Sequence, residues 1–139
     1  LKSLSDSLLV SHYHWLDVEN LIVFLDDVDR GECYLVLNVI TGNKKYIPEL
    51  SKYGDGHPTG IGKTLVTDTY PNRLGMQSLF LLKDLDKPSP LLLGNFYHPL
   101  KFSGISRCDL HPRLDSNEKV VYIDSVYSGK RQFYRVEIN

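Results

Sequence analysis

A chain of 139 residues is long enough for one domain with a core, and 42% hydrophobic with 24% charged residues is ordinary for a globular protein. Its formal charge of −1 gives no electrostatic reason to expect nucleic acid or an anionic membrane surface as a partner. No apolar run approaches the roughly 20 residues that span a bilayer, no signal peptide is legible, and a cytoplasmic protein whose true start lies upstream of Leu1 is expected.

Taken in order, residues 1–10 form a lead-in without clear period, either a linker or the last strand of a preceding unit. Strands are predicted at 11–15, 21–25, 33–39 and 44–47, with a charged loop at 26–31 that ends in Gly. A polar crossing at 51–56 leads to strands at 56–59, 64–68, 78–82 and 91–96. A third group holds 109–114, 120–124 and 132–138. Apolar residues fall in runs of four or five bounded by Gly, Pro, Asn and Asp, which favours buried strands over amphipathic helices.

The groups repeat. His12, His57 and His111 recur at intervals of 45 and 54 residues, and Tyr34, Phe80 and Tyr134 at 46 and 54. Two landmarks in step, with four short strands per unit, mark a β-propeller blade. The expected fold is all-β, with about three four-stranded antiparallel blades at about 11–49, 54–97 and 107–139. The third shows no outer strand. Three blades cannot close a ring, so the chain is expected to be the C-terminal fragment of a longer propeller whose remaining blades are its partners. A small open sheet domain, complete as it stands, is the alternative. Cys33 matches Leu79 and Phe133 in the repeat and is expected to be a buried apolar residue. With Cys108 as the only other cysteine, neither a disulfide framework nor a zinc site is expected.

Gly54-Asp55-Gly56-His57-Pro58 followed by Leu65-Val66-Thr67-Asp68-Thr69-Tyr70-Pro71 resembles one blade of a bacterial propeller family. Arg107-Cys108-Asp109-Leu110-His111-Pro112-Arg113, followed by Ile123-Asp124-Ser125 and Gly129-Lys130-Arg131-Gln132, resembles the next. The family is related to the TolB-like propellers and oligogalacturonate lyase. Its members usually carry Ser-Pro-Asp-Gly after the His-Pro strand. Here the turns read Gly60-Ile61-Gly62-Lys63 and Asp115-Ser116-Asn117-Glu118.

The first strand of a blade is innermost, so His12, His57 and His111 are expected on one channel rim, with His14 on the face of His12. Neutral imidazoles suit divalent transition metals. The resemblance implies a metal, manganese above others, with His12, His14, His57 and His111 as ligands. The glutamine found in the family's site has no counterpart beside them. It further implies β-elimination on an acidic, uronate-containing oligosaccharide, with Arg107 and His14 catalytic and Arg113, Tyr70 and Asp109 binding substrate. Tyr13, Trp15 and Tyr97 are further sugar-stacking candidates. Two other roles for the histidines stay open: hydrogen bonds that lock one blade to the next, and ligand contact without metal. A non-catalytic propeller binding a glycan or protein is the alternative function. Trp15 matches Leu114 and is expected in the core. Asp68 and Asp124 are expected to bond turns, and His98 to lie in a loop. Gly60-Ile61-Gly62-Lys63-Thr64 lacks the earlier glycine and the following helix of a phosphate loop, so nucleotide binding is not expected.

Overall fold

Short apolar runs punctuated by turn residues fold into three antiparallel sheets, each wound in chain order. The computed structural model describes residues 3, 7 and 9–138. The lead-in expected over residues 1–10 therefore lies largely outside the described residues. The first sheet comprises β1 (Leu9–Trp15), β2 (Asn20–Asp27), β3 (Gly31–Asn38) and β4 (Lys44–Tyr46). The second holds β5 (Thr59–Ile61), β6 (Thr64–Asp68), β7 (Met76–Leu82) and β8 (Leu91–Tyr97). The third holds β9 (Arg113–Leu114), β10 (Val120–Ser125) and β11 (Gln132–Glu137). It has three strands rather than four. An α-helical turn, α1 (Pro48–Ser51), starts at a proline that needs no N–H partner and buries Leu50, and two 3-10 turns follow at Leu100–Phe102 and Gly104–Ser106. No helix among the described residues is long and apolar enough to cross a membrane.

Alternation along the strands sorts the core into layers. Ile22, Phe24 and Tyr34 of the first sheet meet Leu65 and Leu82 of the second, with Ile47, Leu50 and Leu85 filling the gap. Val66, Leu79 and Leu81, from the other face of the second sheet, meet Leu110, Val121 and Ile123. Each such side chain contributes about 1.5–3 kcal/mol on burial. The opposite face of the first sheet gathers Leu21, Val23, Leu25, Cys33, Leu35 and Leu37. The first strands of the sheets are neighbours, β1 beside β5 and β5 beside β9. They bring the segments that carry the repeated histidines to one place.

Two expectations are corrected. The strands predicted at 56–59 and 109–114 form only at Thr59–Ile61 and Arg113–Leu114. Pro58 and Pro112 have no N–H for a ladder, and His111 has φ 42°, outside the extended range. His57 and His111 thus sit on the irregular lead into each first strand. Trp15 is 48% exposed, not core. It stands opposite Leu21 and lines a cleft with Val10 and Tyr13. His98 lies in a loop as expected; it is buried there, and its Nε2 accepts the Cys108 N–H at 3.2 Å. Cys33 and Cys108 are both buried and free.

Candidate functional site

The site begins with turn chemistry. Gly56 precedes His57, and a Cβ there would run into the Asp68 carbonyl oxygen. Glycine therefore lets residues 54–58 lie directly on the end of β6. In β1 a register shift between Val10 and Tyr13 places Ser11 and His12 at a bulge, a device that re-aims side chains. The three repeated imidazoles meet in a row. His12 and His57 have ring centroids 4.0 Å apart, and His57 and His111 4.1 Å. They line an open pocket of about 410 Å³ with Tyr13, His14 and Arg113.

Carboxylates hold the row. Asp55 Oδ1 accepts from His12 Nδ1 at 3.0 Å, and its Oδ2 accepts from Ser11 Oγ at 2.6 Å. Asp68, at the end of β6, accepts the His57 backbone N–H at 2.7 Å and His57 Nδ1 at 3.0 Å. Its Oδ2 accepts the His111 backbone N–H at 3.1 Å. Asp109, buried beside them, takes Nε and an Nη of Arg107 on Oδ2, at 3.1 and 2.9 Å. Its Oδ1 is buried and, among the described residues, has no hydrogen-bond partner.

The fields push two neighbouring imidazoles in opposite directions. Burial works against a charged His57, but its hydrogen bond to Asp68 and the charges of Asp68, Asp109 and Asp55 outweigh it. Its pKa rises above the ordinary imidazole value. His111 falls below that value, first through burial and then through the charge of His57, against Asp68, Asp109 and Asp124. Groups split this way can give and take protons at one pH.

Among the described residues, His57, Asp109 and His111 offer ligand atoms within 4.8 Å of one another. Two nitrogens and a carboxylate oxygen suit borderline transition cations. The unpartnered Oδ1 of Asp109 fits such an ion, because a buried carboxylate oxygen without a donor is costly. His12 touches His57 but is outside this trio. His14 lines the same pocket, and its Nε2 faces the Gly60 carbonyl at 3.0 Å. Arg113, on the pocket wall, reaches Asp124 Oδ2 at 3.3 Å. Arg107 lies over the Tyr70 ring at 4.4 Å, and the Tyr70 edge meets His12 and His57 at 6.4 and 6.0 Å. One face of Tyr70 is thus covered and Arg107's fork is engaged by Asp109. Tyr97, at the end of β8, lies against Gly75.

Asp68 does more than the turn bonding expected of both it and Asp124. Its importance was hidden because its partners come from two sheets. The signal for Asp109 was in plain view: Asp55-Gly56-His57-Pro58 and Asp109-Leu110-His111-Pro112 repeat one Asp-x-His-Pro pattern. Gly60 to Thr64 forms the hairpin between β5 and β6, and a strand follows rather than a helix. Set against known proteins, the chain matches no family model and no curated relative.

Proposed function

We propose that the chain is part of a β-propeller of the TolB-like and oligogalacturonate lyase type, that its imidazole rim holds a divalent metal, and that it acts on uronate-containing oligosaccharides by β-elimination. Three consecutive antiparallel sheets with neighbouring first strands support the propeller reading. The single observation that carries the metal reading is the Asp109 Oδ1, buried beside His57 and His111 and without a donor among the described residues.

His57, Asp109 and His111 would hold the ion, with His12 next in the row. A divalent cation bound there supplies a charge that neutralises a substrate carboxylate and acidifies the adjacent C–H. Arg113 places a guanidinium on the pocket wall, where a second sugar carboxylate would find a planar fork of donors. His14 donates Nε2–H to Gly60, which leaves Nδ1 as the lone-pair nitrogen of a residue lining the pocket. It is the proposed proton acceptor. Arg107 holds Asp109 and packs on Tyr70, so it acts by positioning the carboxylate.

Metal analysis of the purified chain, with manganese(II) and zinc(II) titrations, tests the first part. Ultraviolet detection of unsaturated ends released from uronate oligomers tests the second. Retained metal that Asp109→Asn loses, and product that His14→Ala loses, are expected. A metal-free protein that binds neither ion and forms no product sinks the proposal. A second reading, glycan binding without chemistry, draws on the open pocket and exposed Arg113. It predicts uronate binding that survives chelator and is lost in Arg113→Ala.

A further inference from the structure

The geometry points to Asp68 as a positioning residue that fixes His57 in its Nδ1–H tautomer and directs the Nε2 lone pair to the cation site. The inference rests on the metal reading above for its purpose, but not for its test. Asp68 is 1% exposed at the side chain. An ionised carboxylate only accepts hydrogen bonds. His57 Nδ1 faces Oδ1 at 3.0 Å and Oδ2 at 3.2 Å, so that nitrogen carries the hydrogen. A neutral imidazole protonated on Nδ1 has its lone pair on Nε2. Metal-bound histidines are commonly oriented this way, by a carboxylate on the ring nitrogen that does not touch the metal.

The same carboxylate reaches the second nitrogen donor. Asp68 Oδ2 accepts the His111 backbone N–H at 3.1 Å, where the chain adopts φ 42°. Such a conformation costs about 1–3 kcal/mol and persists only where the surroundings impose it. One buried group therefore sets the ring of His57 and the backbone of His111. His12 shows the same arrangement, with Nδ1 on Asp55. The repeat partner of Asp68 in the third sheet, Asp124, is 30% exposed and meets Arg113 instead. It provides the control.

Long-range ¹H–¹⁵N spectra of the metal-free chain, recorded at alkaline pH where His57 is neutral, read the tautomer directly. In the wild type the His57 hydrogen is expected on Nδ1. In Asp68→Asn one amide oxygen must serve three N–H groups, so the Nε2–H form becomes populated. Manganese(II) affinity then falls on the order of 10- to 100-fold, the usual cost of losing such a partner. Asp124→Asn moves neither readout. A wild-type His57 with its hydrogen on Nε2 overturns the inference, whether or not Asp68→Asn folds. So does an Asp68→Asn protein that melts lower but keeps the wild-type tautomer. If manganese(II) and zinc(II) fail to bind while the tautomer responds as stated, the cation site falls and the role of Asp68 toward His57 stands.

Discussion

His111 carries a conflict between its proposed role and its backbone. Its φ of 42° suits glycine better than histidine. His111→Gly is therefore expected to keep stability or raise it by up to about 1 kcal/mol in urea unfolding, while the proposed metal binding is lost. A clear loss of stability would show that the ring, not the site, justifies the residue. Gly56 is the opposite case. Gly56→Ala pushes a methyl group against the Asp68 carbonyl oxygen. A cost of about 1–3 kcal/mol is expected, as for other overpacked positions, together with weakening of the proposed metal binding because β6 must shift under His57. Unchanged urea unfolding would show that the backbone there has room to give.

At the level of elements, charged clips tie the sheets at their far edge. Asp86, after β7, meets Lys45 of β4 at 2.7 Å and also Lys63 of the β5–β6 turn. Hydrogen bonds and charge from Lys45 and Lys63 hold its carboxyl down to about 2, from an ordinary 3.8. The unfolded chain thus binds this proton more readily than the folded one. The clip's contribution is full above pH 3.8 and is lost as pH falls toward 2. Asp86→Asn should lower the melting temperature slightly at neutral pH, and the gap to wild type should close near pH 2. A gap that stays constant with pH would mean the loss is not electrostatic. All three partners are well exposed, so the effect belongs at the small end of surface ion pairs.

For the whole molecule the question is whether three sheets unfold as one. Leu65 lies between the first and second sheets and Leu79 between the second and third, both fully buried. Trp15, the only tryptophan, reports the first sheet. Leu65→Ala and Leu79→Ala should each cost about 2–5 kcal/mol. In a cooperative molecule both shift the Trp15 fluorescence transition. If Leu79→Ala leaves that transition in place, the sheets behave as stacked repeats coupled only to neighbours. The faces at the two ends differ in kind. The outer face of the first sheet is apolar, with Tyr13 and Trp15 beside aliphatic residues. That of the third carries Arg113–Asp124 and Arg135–Glu137 pairs and a Tyr122–Phe133 stack at 5.4 Å.

The all-β class, the order of strands and the meeting of His12, His57 and His111 were legible in the residues. Strand periodicity and turn chemistry are local, and a repeat places equivalent positions alike. Trp15 escaped because alternation says which face a side chain takes, not whether anything covers that face. Asp68 and Asp109 were visible as residues, but their partners were not. Asp68 joins a ring in its own sheet to a backbone N–H 43 positions later, and no spacing rule reaches across a sheet interface. Strands and their faces follow from the order of residues. The carboxylates that hold the His12 and His57 rings, and the buried Asp109 oxygen without a donor among the described residues, are decided only when separate sheets pack and water is expelled between them.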